Sequence, residues 1–140
     1  MNYIFWDTNL LLDLLARPDY SDSVNKILKI GNRKGIIFCI SFLSIANFAY
    51  ILRKNDKEEL YSFLRFLCQN FKVLKNDAYD ILKAMEIGAK DFEDAIQYET
   101  ALTGKCDCII TRNKQDFYFS QIPIFTPEEF INSEFTTEYT

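Results

Sequence analysis

Apolar positions along the chain alternate between two spacings. Residues 3–6, 36–40, 71–74, 108–111 and 122–125 are short runs rich in β-branched, aromatic and cysteine side chains, and they read as buried strands. Between them the spacing lengthens to i, i+3, i+4, as in Val24, Ile27 and Leu28, or Leu60, Phe63, Leu64 and Leu67. That period predicts helices over residues 10–16, 21–30, 42–53, 58–68, 78–87 and 92–103. Turn chemistry separates the elements. Arg17-Pro18-Asp19 ends the first helix, and Gly31 and Gly35 bracket a basic turn. Residues 53–57 form a charged loop, and Gly104 stands at a helix C-terminus. Thr8 or Asn9, Asp77 and Asp91 are available as N-caps, and Thr126-Pro127-Glu128-Glu129 combines a cap, a proline at the first position and a glutamate three residues on. Beyond Ile131 the chain turns polar and is expected to fray.

Strands that alternate with helices argue for a parallel sheet covered on both faces, because parallel strands need a crossover between them. The expectation is an α/β fold, a three-layer α/β/α sandwich around a central parallel sheet of about five strands. There is no internal repeat or linker, so residues 1–132 read as one domain and 133–140 as a polar tail.

Composition narrows the chemistry. The 140 residues are enough to bury a sizeable core, and 49% hydrophobic with 26% charged residues is an ordinary globular balance. No apolar run has the length of a membrane span and no signal peptide is visible, which gives the expectation of a cytoplasmic protein with no membrane partner. The four cysteines lack the paired spacing of a structural zinc site, so reduced thiols are expected. The most restrictive count is that of histidine, which is zero. Its absence removes Ser-His and Cys-His catalysis and histidine general bases. Hydrolysis by such a chain must rely on carboxylates, most simply through a hard divalent cation held by oxygen ligands. A net charge of −4 does not advertise nucleic-acid binding, yet a carboxylate-lined metal site itself adds negative charge.

Candidate chemistry gathers where strands end. The first strand runs into Asp7-Thr8-Asn9, and the fourth into Thr111-Arg112-Asn113 with Asp116 beyond. Asp91, Glu93 and Asp94 open the helix between them, and Asp91 and Asp94 share one side of its first turn. Each feature has a structural alternative: Asp7 as a cap for the helix that follows it, Asp91 as a cap, Glu93 and Asp94 as complements to the helix dipole, Asp116 as a turn residue. In a parallel sheet, however, Asp7, Asp94 and Asp116 all fall near the carboxyl edge, where ligands bind in open α/β folds. Carboxylates ~4–5 Å apart repel by roughly 3–4 kcal/mol at an effective dielectric near 20, a penalty that a cation removes. Mg²⁺ or Mn²⁺ suits such a site and would polarise a water for attack on a phosphodiester.

Taken together, Asp7-Thr8-Asn9 after an N-terminal strand, Asp91-Phe92-Glu93-Asp94-Ala95 opening a helix, and Thr111-Arg112-Asn113 with Asp116-Phe117 after a strand resemble the PIN-domain family. The similarity runs through to Thr126-Pro127-Glu128-Glu129-Phe130 and is greatest to small bacterial single-domain members. The resemblance implies metal-dependent cleavage of single-stranded RNA. Many bacterial members are toxins of VapBC-type toxin–antitoxin pairs, often homodimeric, so RNA, an antitoxin and a second copy are the implied partners. It also implies roles. Asp7 and Asp94 match two of the family's acids as principal metal ligands, with Asp116 as a further catalytic or ligating carboxylate. Asn47 stands six residues after Ser41, where the family usually has a glutamate, and Asn113 stands where another acid often follows Thr-Arg. Asn9, Ser41, Asp91, Glu93 and Thr111 are expected to support the site, and Arg112 to reach a substrate phosphate or pair with a carboxylate. The rival expectation is a weakened, non-cleaving member that binds RNA or protein.

Overall fold

The computed structural model describes residues 2–15, 17 and 21–136. In chain order these form β1 (Tyr3–Trp6), α1 (Thr8–Leu15), α2 (Ser21–Lys34), β2 (Ile37–Ser41), α3 (Phe42–Ile51), α4 (Lys57–Asn70) and β3 (Lys72–Leu74). There follow α5 (Ala78–Ile87), α6 (Phe92–Thr103), β4 (Cys108–Ile110), a 3₁₀ turn (Lys114–Phe117), β5 (Ile124–Phe125) and α7 (Pro127–Ile131). The strands make one sheet in the order β3-β2-β1-β4-β5, and every neighbouring pair is parallel. The expected α/β/α sandwich with five parallel strands is therefore the fold. The chain order reverses on either side of β1, which pairs with both β2 and β4. Such a reversal opens a crevice at the carboxyl ends of the two diverging strands. Asp7 follows β1 and Thr111 follows β4.

Alternating side chains bury both faces of the sheet. Ile4, Trp6, Phe38, Ile40, Cys108 and Ile110 pack with Leu10, Leu11 and Leu12 of α1, Val24 and Ile27 of α2, Leu67 of α4 and Phe130 of α7. Phe5, Cys39 and Ile109 face the other way, against Tyr98 and Ala101 of α6 and Phe117. Trp6 lies edge-on to Phe38 and Phe71, with ring centroids 5.1 and 4.9 Å apart. Side chains buried on this scale are each worth about 1.5–3 kcal/mol, which is what holds β1 at the centre.

The differences from the sequence expectations have local causes. The first helix begins at Thr8, so Asp7 rather than Thr8 or Asn9 precedes it: the Leu10 amide donates to the Asp7 carbonyl (3.1 Å) and the Thr8 amide to Asp7 Oδ1 (2.9 Å). α2 passes through Gly31 to Lys34 instead of stopping at Ile30, and a glycine is needed there because Gly31 lies against Phe38, where an added Cβ would come within 2.3 Å of the ring. Gly35, at φ +67°, follows that helix directly. α3 ends at Ile51, short of residue 53, and β5 keeps only Ile124 and Phe125 because Pro123 has no N–H to give. The caps at Asp77, Asp91 and Thr126 form as read, the last with its full capping box. Past Ile131 the chain folds back rather than fraying at once: Phe135 stacks on Phe130 at 6.1 Å. The Pro18-Asp19 break and residues 137–140 lie outside the described residues. All four cysteines are free thiols.

Candidate active site

A cleft of about 350 Å³ opens at the carboxyl edge of the sheet, lined by Asp7, Thr8, Asn9, Asn47, Tyr50, Ile51, Asp91, Glu93, Asp94 and Asp116. Four stretches supply it: the turn after β1, α3, the first turn of α6, and the 3₁₀ turn after β4. The acids expected to converge do line one cleft.

Asp7 is the most enclosed of them, with 8% of its surface exposed. Its Oδ1 accepts the Thr8 amide, and its Oδ2 accepts the Thr111 hydroxyl at 3.0 Å. Thr111 Oγ1 in turn accepts the Asn113 amide at 3.1 Å, so one threonine ties β4 to the carboxylate that follows β1. Burial pushes the Asp7 carboxyl up to about 6. The Thr111 and Thr8 hydrogen bonds oppose that shift, while the charges of Asp116 and Glu93 add to it. Asp94 is pushed up to about 7, by burial first and then by the charges of Asp91, Asp7, Asp116 and Glu93. Burial is the larger cause for both carboxyls, and the charges of Asp116 and Glu93 raise each of them further, as expected where acids gather without a balancing cation.

Around them, Asp91 caps α6 by accepting the Glu93 amide at 2.9 Å. Asn47 donates its side-chain amide to Glu93 Oε1, which joins α3 to α6 across the cleft. Asn9 lines the wall and is half-buried, and Asp116 is exposed. Ser41 lies outside the lining. It accepts the Ser44 amide at 2.8 Å as the cap of α3. Asn113 is also absent from the lining and opens the 3₁₀ turn, its carbonyl accepting the Asp116 amide at 3.0 Å. Arg112 is turned away from the cleft and onto Asp13, whose Oδ2 lies 2.7 Å from its Nε. The alternative of pairing with a carboxylate is the one realised.

Several residues here escaped the sequence reading. Tyr50 and Ile51 form a lip with half or more of their surface exposed, and the Arg53 guanidinium sits 4.0 Å over the Tyr50 ring. Gln97, Ser44 and Thr8 hydrogen-bond one another behind the acids. Gln97 lies three residues after Asp94 on the same helix, a spacing that places both on one side and could have flagged it.

The donor set suits Mg²⁺ or Mn²⁺ better than a softer ion. It is all oxygen, two of its carboxyls are raised by burial and by neighbouring acids, and a cation would offset the repulsion among those acids. Among the described residues no three acids stand close enough to form a finished cage. A cation that keeps most of its waters and takes one or two carboxylates needs none.

A parallel sheet in this order, with acids gathered at its reversal point, places the chain among open α/β proteins that carry an acidic site at the carboxyl edge of the sheet. A PIN domain family model matches residues 3–115, and the chain belongs to that family. It is similar to Ribonuclease VapC1 of Aquifex aeolicus, 28% identical over 134 residues, which cover 91% of this chain and 92% of that protein. Its fold matches VapBC2 from Rickettsia felis bound to a promoter DNA fragment, with a TM-score of 0.74 at 15% identity over 89% of this chain and 98% of that one. A toxin–antitoxin complex from Klebsiella pneumoniae matches with a TM-score of 0.65 at 23% identity, covering 89% and 97% of the two chains. Among the described residues no helix is long and apolar enough to cross a membrane.

Proposed function

We propose that the chain is a metal-dependent endoribonuclease that hydrolyses phosphodiester bonds in single-stranded RNA, acting in the cytoplasm as the toxin of a toxin–antitoxin pair. The observation that carries this reading is the shared cleft, in which Asp7 and Asp94 are both raised by burial first and then by the charges of neighbouring acids, Asp116 and Glu93 acting on both. Its similarity to a ribonuclease of the same family supports the substrate class.

In this reading Asp7 and Asp94 hold a Mg²⁺ or Mn²⁺ ion, which when bound supplies Lewis-acid polarisation of a phosphodiester oxygen and of the attacking water. Thr111 and the Thr8 amide fix the Asp7 carboxylate so that it does not rotate away when the ion leaves. Asp116, exposed on the opposite wall, orients the attacking water and takes its proton. Glu93, held by Asn47, keeps a further acid within reach of the site, and its charge adds to the rise of Asp7 and Asp94. Tyr50 at the lip offers a face for a base, and Arg53 above it brings positive charge to a mouth otherwise lined by acids. Exposed Phe42, Ile81 and Phe92 beside the cleft support assembly with a protein, as an antitoxin complex or a homodimer requires.

The deciding experiment is calorimetric Mn²⁺ binding by the wild type and by Asp94→Asn, with cleavage of single-stranded RNA assayed in the same buffers. Binding and cleavage that both disappear in the variant are expected. A wild type that binds no ion at millimolar Mn²⁺ would refute the nuclease. The second reading, a PIN domain that binds RNA or protein without cleaving, would then stand. It draws on Asn47, whose amide occupies the cleft wall where the family usually has an acid.

A further inference from the structure

Behind the acids, Thr8, Ser41, Ser44 and Gln97 form a polar chain whose direction follows from counting hydrogens. Gln97 is 1% exposed, and Ser41 and Ser44 are fully buried, so their hydrogens must be used inside the protein. The four side chains make four close contacts: Ser41 with Ser44 (3.0 Å), Ser44 with Thr8 (2.7 Å), and Gln97 with Thr8 (3.0 Å) and with Ser44 (2.8 Å). Each contact needs one hydrogen. With the Gln97 amide nitrogen facing the hydroxyls, its two hydrogens and those of Ser41 and Ser44 fill all four. With its carbonyl oxygen there instead, three hydroxyl hydrogens would have to serve four contacts. Two oxygens would then meet with nothing between them. The nitrogen therefore faces the hydroxyls, and Gln97 Oε1 is buried without a hydrogen-bond partner among the described residues.

The direction of the remaining bond follows. Ser41 Oγ accepts the Ser44 amide, and its own hydrogen is donated to Ser44 Oγ at 3.0 Å. Ser44 Oγ also receives one from Gln97. Its own hydrogen has no other acceptor among the described residues and passes to Thr8 Oγ1. Thr8 thus accepts two hydrogen bonds from behind and has spent none of its own. It also lines the acid cleft, next to Asp7.

We infer that Thr8 is held as a one-way hydrogen-bond donor into the cleft, for an anionic phosphate oxygen of the RNA strand, and that Gln97 is the positioning residue that keeps it so. The inference rests on the ribonuclease reading for the identity of that oxygen, and on the hydrogen count alone for the donor. A donor at this place matters because acids otherwise dominate the cleft wall and repel a phosphate. Asn9, Asn47 and Tyr50 are the other neutral polar side chains on the wall; the Asn47 amide is engaged with Glu93, and Tyr50 stands exposed at the lip.

Two measurements test it. Neutron diffraction from crystals of the deuterated, RNA-free protein locates the Thr8 hydroxyl deuteron without reference to function. It is expected on the cleft side, and a deuteron between Thr8 and Ser44 or Gln97 overturns the inference. Binding of an uncleavable 2′-O-methyl oligoribonucleotide is then compared by fluorescence anisotropy in the wild type, Thr8→Val, Thr8→Ser and Gln97→Glu. Loss of one hydrogen bond to a charged oxygen predicts roughly 10- to 100-fold weaker binding by Thr8→Val. Thr8→Ser, which keeps the hydroxyl, is expected to bind like the wild type. Gln97→Glu offers an acceptor to Thr8, draws its hydrogen backwards and should weaken binding although Thr8 is intact. Thr8→Val binding as tightly as the wild type overturns the inference. A wild type that binds no RNA, with the deuteron still facing the cleft, removes RNA as the acceptor and with it the ribonuclease reading, while the donor itself is upheld.

Discussion

Arg112 Nε lies 2.7 Å from Oδ2 of Asp13, a carboxylate with no exposed side-chain surface, while Arg112 keeps about a third of its own side chain in solvent (31%). Arg17 approaches the same carboxylate at 3.7 Å. The pair joins the turn after β4 to α1, the helix that follows Asp7. Burial raises the Asp13 carboxyl, and the Arg112 and Arg17 charges hold that rise in check.

Removing the guanidinium therefore strands a buried charge. Arg112→Ala is expected to destabilise the fold by about 2–3 kcal/mol, the lower end for a broken buried pair because Arg112 is partly solvated and Arg17 remains. Urea unfolding measures this. RNA affinity per folded molecule should stay unchanged, and a large loss of affinity at unchanged stability would return Arg112 to the substrate.

Asp94 is crowded by four other acids. Asp94→Asn should raise the melting temperature of the cation-free protein at pH 7.5 and lower ribonuclease activity by at least about 100-fold, since the ion's contribution to the transition state is worth several kcal/mol. Calorimetric melting and a single-turnover assay read the two effects, whose opposite signs separate electrostatic relief from unfolding.

The pH dependence has a definite sign. Asp7 titrates near 6 and Asp94 near 7 in the folded chain, both above the ordinary value of 3.8. Between those limits the folded state binds more protons than the unfolded state, so the contribution of these two groups to stability is fully present below pH 3.8 and is lost as pH rises through about 6 and about 7. A cation competes with those protons. The rise in melting temperature on adding Mn²⁺ should be large at pH 8, shrink below pH 7 and nearly vanish at pH 5. A Mn²⁺ effect independent of pH would exclude Asp7 and Asp94 as ligands.

Asn47 and Asn113 respond differently to an added charge because only Asn47 lines the cleft. Asn47→Glu sets a carboxylate against Glu93 and should lower cation-free stability by about 1 kcal/mol while tightening Mn²⁺ binding several-fold. Asn113→Asp is expected to change neither by as much. Isothermal titration of both variants decides it, and a stronger response at Asn113 would reverse their assigned places.

Much of this was legible from the sequence. Short apolar runs rich in β-branched and aromatic residues placed all five strands, and the 3.6-residue period placed most helices, because burying a strand or a helix stripe dictates where apolar residues fall. Asp77, Asp91 and Thr126 acted as caps because an N-cap bond closes within four residues. Asp7, Asp94 and Asp116 could be expected at one edge once the sheet was taken as parallel. The absence of histidine then left oxygen ligands as the simplest hydrolytic chemistry.

What the sequence left open depends on contacts between distant residues. Nothing local says that Arg112 turns to Asp13, or that α2 needs a glycine at Gly31 because Phe38 lies beneath it. Gln97 looks like any polar helix residue until folding buries it against Thr8 and Ser44 from two other helices. The upward shifts of Asp7 and Asp94 arise from burial and from charges brought together across the sheet, not from either residue's neighbours in the chain alone. Short-range patterns determine the elements and the kinds of atoms at their ends. Side-chain orientation, burial and hydrogen-bond direction are set by packing, and only the tertiary structure decides them.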